Sequence, residues 1–578
     1  MLPRRHNVAL CTVMTLTLAV CASTSRAIFA FNIYTVGQGC PFSKIQDAVD
    51  AAAASPGEDY VWIVNNKLYT SQYISIVDQD VDIEGGFSDC SDFSIGPNDS
   101  TTIYGTTQPV FSIGGNSHVY LGNLRISEGN TYDGGGVNFN GQGSLALAAI
   151  TISFNTATFG GGIYFAGSTG PATLTLLDGT NITSNTAESG GGIFLNGNAR
   201  LLARSTSVSI DHNHAEIGGG ITIGTPARAD LGITNGFAAA INQNGAGDGG
   251  GIALYGAVLR VFSPDAAHPS AINGNIAARY GGGIFAQQAS QVCLFNVAME
   301  SNQGLQGAAI FEYGTGSGIY INRAFPNAPG PECGPETVAA LGGEPYACDS
   351  ASASCNYFFG NKATDQFDRS TGPIIYQHGG AFAASRLRLQ DSFGTSALQT
   401  ESVTTNVDTS LFSDNDVSAA LISVAGGTAS LSASTFAHDT IGGTYVFDFG
   451  SGPNVVLKND IIAEPGHLSV TASAPPSASY VLSNDITTLP HNSSVIADTP
   501  KFVDSTYFDY HLRPDSPGLD FAPAAAGTDL DEHSRTVDLP GVANRFGPTD
   551  LGAFERQYLY LCDSSTDVIF CDAFEASP

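Results

Sequence analysis

A short pattern recurs along this chain and limits its fold more than any other feature. Each copy contains an asparagine, three to five variable residues, a run of glycines (Gly-Ala-Ala in the last copy) and a short apolar stretch, as in residues 155–165. Copies begin at Asn130, Asn155, Asn185, Asn213, Asn244, Asn275 and Asn302, in steps of 25, 30, 28, 31, 31 and 27 residues. Self-similarity at such a period indicates a repeat architecture that grows by adding turns.

Each repeat contains three short stretches with apolar residues at alternate positions, as in residues 150–154, 163–165 and 172–176. No helix-forming segment separates them, so they cannot build a sheet of βαβ units. The strands can instead coil, so that each pairs with its copy in the next turn and buries alternate side chains. The sequence therefore predicts an all-β, right-handed parallel β-helix with three short strands per turn. Roughly 20 turns at ~4.8 Å each would make a rod about 100 Å long.

The asparagines and glycines are interpreted as structural turn residues rather than as catalysts. Asparagine tolerates left-handed backbone angles, and its side-chain amide can bond neighbouring backbone. Stacked at one corner, the amides of successive turns should bond one another along the rod, while glycine permits positive φ and close approach between turns. The predicted stack comprises Asn155, Asn185, Asn213, Asn244, Asn275 and Asn302.

The N-terminus has the pattern of an export signal. Arg4 and Arg5 precede an apolar run over residues 8–22, and Ser25-Arg26-Ala27 forms a small-residue cleavage site. We interpret residues 1–27 as a signal peptide, with cleavage after Ala30 as an alternative. A membrane anchor is the competing interpretation, but the run is short for a span of ~20 residues. The mature chain is expected to be secreted or attached to the bacterial outer membrane, with no transmembrane segment.

Ten cysteines are present, and two of them lie in the leader, so eight remain in the mature chain. An even number in an exported protein indicates disulfides. The eight form three groups: Cys40 with Cys90; Cys293, Cys333, Cys348 and Cys355; and Cys562 with Cys571. Proximity pairs the first and last groups, whereas the middle four allow three pairings. A zinc site is the alternative, but the spacings lack a repeated C-x₂-C unit.

The glycine repeats over about residues 118–312 resemble the GGAI-type repeats of chlamydial polymorphic outer membrane proteins and related bacterial pectin-lyase-like β-helix proteins. Residues 40–49 resemble the short amphipathic helix that caps such rods, and a Cys40–Cys90 disulfide would fit across that cap. The motif Asp-Leu-Gly-Ala-Phe-Glu at residues 550–555 resembles the C-terminal cap of bacterial β-helix proteins. The resemblance implies the fold and a cell-surface location, and it implies function only weakly.

The resulting organisation has seven segments. They are a signal peptide (1–27), an N-terminal cap with the first turns (28–117), glycine-repeat turns (118–324), a Cys- and Pro-rich inserted loop (325–356), degenerate turns (357–495), a C-terminal cap (496–556) and a tail with a cysteine pair (557–578).

The chain is strongly acidic, which limits its partners. Lys and Arg total 22 against 53 Asp and Glu, and removal of three leader arginines changes the net charge from -31 to 19 − 53 = −34. The electrostatic field of so negative a chain repels phosphate backbones and anionic headgroups, so nucleic acid is excluded as a partner. The expected partner is an extracellular ligand of unknown identity, such as a carbohydrate or a host or cell surface.

Ca²⁺ is the one cofactor that the sequence suggests. Asp78, Asp80, Asp82 and Glu84 alternate along one predicted strand and would present their carboxylates on one face. The alternative is an ordinary solvated outer face. Two histidines, His212 and His214, form a second and weaker candidate for metal binding, and they are equally consistent with turn residues.

The chain lacks the sequence signatures of known β-helix enzymes. Polygalacturonases carry paired aspartates followed by Gly-His and Arg-Lys segments, and pectate lyases carry a Trp-Ile-Asp-His segment; neither pattern occurs. The acidic group of Asp529, Asp531 and Glu532 is assigned to the cap. The leading hypothesis is a non-catalytic adhesin-like or structural binding rod, with no catalytic residues assigned. The alternatives are a polysaccharide-degrading lyase or glycoside hydrolase, based on fold analogy alone, and a Ca²⁺-stabilised rod.

Overall fold

The computed structural model describes residues 32–55, 57, 59–91, 94–95, 99–203, 207–232, 239–263, 269–321, 333, 356–450 and 454–558. The signal peptide lies outside the described residues, as do most of the inserted loop and the last twenty residues of the tail. Cys348, Cys355, Cys562 and Cys571 therefore also lie outside them.

The chain coils into an all-β parallel solenoid of about 14 turns, which confirms the predicted fold class. The prediction of roughly 20 turns was wrong, and 14 turns at ~4.8 Å give a coil about 67 Å long. The number is smaller in part because the chain after residue 497 adds no further turns. That segment folds back along the outside of the last turns, as described below.

Each turn has three main sides and a short corner strand. The first side carries Thr101–Tyr104, Leu124–Ser127, Thr151–Ser153, Asn181–Thr183, Val208–Asp211, Ala239–Asn242, Ser270–Asn273, Val297–Glu300, Asn356–Phe359, Leu387–Gln390, Leu411–Ser413, Thr435–Ala437 and Val495–Ala497. The corner strands that follow it are Asn130–Asp133, Thr156–Phe159, Thr186–Ser189, Gly245–Asp248, Ile276–Tyr280, Gln303–Gly304, Lys362–Ala363, Phe393–Gly394, Asp416–Val417 and Thr440–Ile441.

The second side carries Ile74–Val77, Ile221–Gly224, Ile252–Tyr255, Ile284–Gln287, Ile310–Tyr313, Ile375–His378, Tyr445–Phe449 and Leu468–Ala472. The third side carries Ile33–Val36, Asp59–Val64, Asp80–Phe87, Arg228–Leu231, Val258–Phe262, Gln291–Phe295, Gly318–Ile321 and Ala381–Ser385. Longer strands bend from the second side into the third: Phe111–Gly122, Val137–Ala148, Ile163–Leu176, Ile193–Ala203, Leu398–Asp408 and Ile422–Ser432. Asn454–Ala463 and Ser477–Ser483 bend from the third side into the next first side.

The pairing between turns is parallel and keeps equivalent repeat positions in register. Ile163 pairs with Ile193, which pairs with Ile221, and each of these side chains is fully buried. Aromatic side chains also stack inside the bore, as Phe139 does on Phe165 with ring centroids 4.4 Å apart. Alternate residues therefore form one continuous apolar core along the coil, which is the main source of its stability.

The repeat asparagines form a hydrogen-bonded column, which we call the asparagine ladder. Oδ1 of Asn185 accepts from the backbone N–H and from Nδ2 of Asn155, both at 3.0 Å. Nδ2 of Asn185 in turn donates to Oδ1 of Asn213 at 3.0 Å and to the carbonyl of Ile152 at 2.9 Å. The same bonds repeat through Asn213, Asn244, Asn275, Asn302 and Asn361.

The ladder asparagines are not the residues with left-handed backbone angles, contrary to the expectation from sequence. The preceding residue takes that conformation in each turn, as Phe154 (φ 58°), Ser184 (φ 57°) and His212 (φ 53°) do. The bend at the preceding residue turns each asparagine inward, where it is almost completely buried. The amide can then be satisfied only by its neighbours in adjacent turns, which explains the unbroken column.

A short helix, Ile45–Ala53, lies between the first two strands of the third side. Its buried residues, Ile45, Ala48, Val49 and Ala52, recur at the three- and four-residue spacing of one helix face. Among the described residues no helix is long and apolar enough to cross a membrane.

Two disulfides are described. Cys40 and Cys90 are bonded with their Cα atoms 5.4 Å apart, as proximity had predicted. Cys293 is bonded to Cys333 with a Cα separation of 5.6 Å, which selects one of the three pairings left open for the middle group. Cys293 points away from the bore, so this disulfide attaches the inserted loop to the third side of the coil.

The C-terminal segment packs against the outer face of the last turns. It contains an antiparallel pair, Phe502–Asp504 and Asp509–Leu512, joined by the 3₁₀ turn Ser505–Tyr507. A second apolar core forms between outward side chains of the coil and this segment: Leu411, Ala437, Ile461, Ala463 and Leu482 meet Tyr510, Leu512, Leu519, Phe521, Leu530, Leu551 and Phe554. The C-terminal segment therefore covers part of the outer surface of the last turns of the coil.

Candidate functional site

The outer groove is the candidate binding surface of this molecule. It runs along the angle between the corner strands and the second side, over the eight turns from Val137 to Ile375. Side chains from the two sides of this angle touch on the outside of the coil: Phe159 lies 5.1 Å from Phe194 between ring centroids. Because outward side chains converge there, the surface is concave. Seven steps of ~4.8 Å make it about 34 Å long.

Glycine residues allow the sharp angle between each corner strand and the second side. Gly160 has a φ of +64°, a conformation in which a Cβ would be strained. At Gly161 a Cβ would lie 2.5 Å from the carbonyl oxygen of Thr186 and 2.6 Å from that of Gly191 in the next turn. Only a residue without a side chain lets successive turns approach this closely, so the glycine runs form the floor of the groove.

Aromatic side chains line the groove in two clusters. The first consists of Tyr132, Phe159, Tyr164 and Phe194. The second consists of Tyr255, Tyr280, Phe285, Phe311 and Tyr376. Tyr313 and His378 stack beside the second cluster with ring centroids 4.6 Å apart. These clusters place large, rigid side chains along most of the groove.

The rings are stacked on one another, which limits how a ligand can contact them. Tyr164 and Phe194 are almost parallel (6°), and Phe311 and Tyr376 are within 16° of parallel with centroids 4.8 Å apart. Ring faces inside each stack are therefore covered by the neighbouring turn. A ligand would meet ring edges, tyrosine hydroxyls and the two most exposed rings, Tyr132 (65% exposed) and Tyr313 (50% exposed).

A charged group separates the two aromatic clusters. The guanidinium of Arg279 contacts Glu216 at 2.8 Å and Asp248 at 2.9 Å. These three residues come from three successive turns, so the ion pairs also connect the turns. The carboxylates hold the pKa of Arg279 above its usual value through hydrogen bonds. Both carboxylates are thus engaged with a cation.

Burial in the groove keeps its tyrosines protonated. Burial raises the pKa of Tyr255 to about 12, with a smaller contribution from Asp248. Burial and the nearby Glu401 also raise the pKa of Tyr376. At neutral pH these phenols are neutral hydrogen-bonding groups rather than bases, which suits recognition of polar ligands better than proton abstraction.

A buried carboxyl lies directly beneath the groove. Glu312 sits between the outward residues Phe311 and Tyr313 and points into the bore, where it is fully buried beside its register partner Gln377. Within the described part of the chain neither carboxyl oxygen makes a hydrogen bond, and the Ser317 hydroxyl is close but outside hydrogen-bonding geometry. Burial raises the pKa of Glu312 to about 9, so the group is neutral at pH 7.

The four residues of the predicted Ca²⁺ site lie at the N-terminal end of the coil, away from the groove. Asp80, Asp82 and Glu84 share the outer face of Asp80–Phe87, and burial raises the pKa of Glu84. Asp78 lies in the same turn, at the bend between Ile74–Val77 and Asp80–Phe87, and its carboxylate accepts the Asn116 N–H at 2.7 Å. In the described ranges no group of three or more His, Cys, Asp or Glu is arranged to hold a metal ion. The Ca²⁺ hypothesis stays a prediction.

Two of the three acids assigned to the cap, Asp531 and Glu532, form ion pairs. Asp531 contacts Arg388 at 2.8 Å and Nε2 of His511 at 2.8 Å, while Glu532 contacts Arg386 at 2.5 Å. Burial alone would lower the pKa of His511, but hydrogen bonds to its two neighbouring aspartates raise it to about 10. These contacts fix the C-terminal segment to the first side of the coil.

Sequence reasoning missed the later members of the asparagine ladder. Beyond Asn361 the column continues through Ser392, Asn415, Asp439 and Glu464. A signal was present, because an apolar residue stands three positions before each member, as Phe412 does before Asn415. The run of three glycines, which drew attention to the earlier copies, is absent from these turns, and only the pair Gly442 and Gly443 follows Asp439.

No protein-family model matches this chain, and no curated protein matches it.

Proposed function

We propose that this protein is an exported, non-catalytic β-helix rod that binds an extracellular ligand along its outer groove. The observation that carries the proposal is the groove itself, which keeps one register over eight turns and places aromatic and polar side chains at regular intervals. A repeating surface of this kind suits a ligand that is itself extended and repetitive.

A polysaccharide is the ligand class that the groove fits. Tyrosine hydroxyls and Asn138 offer neutral donors and acceptors, and the ring edges offer apolar contact. The acids near the middle of the groove already contact Arg279, and they would repel an anionic chain. A neutral or cationic polysaccharide on a cell surface is therefore the proposed partner.

The resemblance to pectin-lyase-like and chlamydial GGAI-repeat proteins supports the same proposal at the level of architecture and location. Within it, residues 1–27 serve as the signal peptide, the helix Ile45–Ala53 caps the N-terminal end of the coil, and the mature chain is secreted or held at the outer membrane. The two disulfides agree with an oxidising compartment. N-terminal sequencing of the exported protein, expected to begin at Ile28, tests the signal peptide directly.

Affinity electrophoresis in gels containing neutral, amino or acidic polysaccharides tests the binding function. We expect retardation by a neutral or amino polysaccharide, weakened about tenfold by Tyr313→Ala, the equivalent of ~1.4 kcal/mol. Tyr376→Phe removes one groove hydroxyl without removing its ring. Tyr73→Ala is the matched control, because Tyr73 is similarly exposed (45%) and lies outside the groove.

The enzymatic alternative is tested on the same polysaccharides. Release of reducing ends without ultraviolet absorbance would indicate a glycoside hydrolase, and release with ultraviolet absorbance from unsaturated products would indicate a lyase. Either activity, lost in groove variants and kept in Tyr73→Ala, would replace the binding proposal. Equal retardation of the wild type and Tyr313→Ala in every gel would move the binding site away from the groove.

A further inference from the structure

The asparagine ladder ends on two carboxylic acids. Asn415 donates its backbone N–H (2.7 Å) and its Nδ2 (2.9 Å) to Oδ1 of Asp439. The backbone N–H of Asp439 then donates to Oε2 of Glu464 at 3.1 Å and to Oε1 at 3.2 Å. Asp439 and Glu464 thus occupy the places of two further asparagines, and both are almost fully buried, at 8% and 2% exposure.

One hydrogen-bond donor is missing at this end of the ladder. In each asparagine step Nδ2 donates to the acceptor of the next turn, as from Asn155 to Asn185. Asp439 has an oxygen, Oδ2, where an asparagine has Nδ2, and this buried oxygen has no donor among the described residues. The carboxyl group of Glu464 lies within hydrogen-bonding reach of Asp439. Two ionised carboxylates would place acceptor against acceptor inside the protein.

The charged surroundings oppose a second negative charge at this position. Asp414 acts on both acids, and its own carboxylate accepts the Tyr510 hydroxyl at 2.6 Å. His438 packs edge-on against the Tyr510 ring at 5.7 Å. Burial is the largest cause that raises the pKa of Asp439 and of Glu464, and the negative charge of Asp414 adds to it.

We propose that Asp439 and Glu464 share one proton in the native state, and that this proton closes the asparagine ladder at its C-terminal end. The O–H of one acid donates to the other and takes the place of an asparagine N–H. The pair then carries a single negative charge, which accepts the backbone N–H of Asp439. Loss of the proton at alkaline pH leaves two facing carboxylates and loosens the last turns of the coil.

The test measures the unfolding equilibrium constant from about pH 6 to about pH 9 for the wild type and for Asp439→Asn. The wild-type native state retains one proton, which is released on unfolding because both carboxyls then ionise. Stability is therefore lost as pH rises, and the wild-type unfolding constant should increase about tenfold per pH unit relative to the variant. Asp439→Asn supplies the missing N–H to Glu464 and keeps a single charge, so it needs no proton.

A second variant and a control make the result decisive. Glu464→Gln donates an N–H to Asp439 and should show the same flattened pH dependence, so it serves if Asp439→Asn fails to fold. Asp416→Asn removes an exposed carboxylate from the neighbouring corner strand and should keep the wild-type slope. An unfolding constant that depends on pH equally in the wild type and in both ladder variants would overturn the proposal. So would stabilisation of the wild type, but not of Asp439→Asn, by Ca²⁺, because a cation would then hold the pair together.

Discussion

Truncation of one ladder asparagine should cost far more stability than its small side chain suggests. In Asn213→Ala four hydrogen bonds are lost: two that Oδ1 accepts from Asn185, and two that Nδ2 donates to the Ile182 carbonyl and to Asn244. Asn213 is fully buried, so water cannot replace the missing partners. At about 1 kcal/mol net for each bond, the free energy of unfolding should fall by about 4 kcal/mol.

Urea unfolding followed by far-ultraviolet circular dichroism measures this change with the disulfides intact. A loss of ~4 kcal/mol corresponds to an increase of nearly a thousandfold in the unfolding constant. The control is Asn198→Ala, the same substitution at an exposed asparagine of Ile193–Ala203, with an expected change within about 0.5 kcal/mol. A cost below about 1 kcal/mol for Asn213→Ala, or one equal to that of Asn198→Ala, would refute the argument that the ladder bonds stabilise the coil.

Two further predictions concern the groove floor and the carboxyl beneath it. Gly161→Ala should destabilise the chain by about 3 kcal/mol in thermal or urea unfolding, because its Cβ would meet the Thr186 carbonyl at 2.5 Å. Gly114→Ala, where the nearest atom is 3.7 Å away, should change stability by less than about 1 kcal/mol. Burial raises the pKa of Glu312 from 4.5 to about 9, so stability is lost as pH rises through that window. Relative to Glu312→Gln, the wild type should lose ~4 kcal/mol between pH 5 and pH 8, and identical pH profiles would show that the carboxyl is solvated.

The repeat alone was enough to predict the fold class. Each step of about 28 residues carries three short alternating stretches with no helix-forming segment between them, and the alternation of apolar residues around Ile152 and Ile163 defines which side chains enter the bore. Parallel pairing of equivalent positions follows from this, since Ile152 meets Ile182 in the next turn. The Cys40–Cys90 disulfide was likewise predictable from proximity.

The groove could not be predicted in the same way. Phe159 and Phe194 belong to different repeats, and nothing in the sequence shows that the coil bends so that their rings meet on the outside. Glu312 has the sequence context of a solvent-facing residue between two aromatics, yet the register places it inside the bore. The direction of a side chain depends on the bend at each corner, which is set by contacts between turns.

What the amino-acid sequence determined by itself is the periodic part of this protein: a repeat that specifies strand, bend and buried amide at each turn, because these features are local and recur. Only the tertiary structure decided the number of turns, the Cys293–Cys333 pairing and the packing of residues 498–558 along the side of the coil. It also decided that the ladder continues from Asn361 to Glu464. These features join residues far apart in sequence, and they depend on which surfaces remain uncovered once the coil has formed.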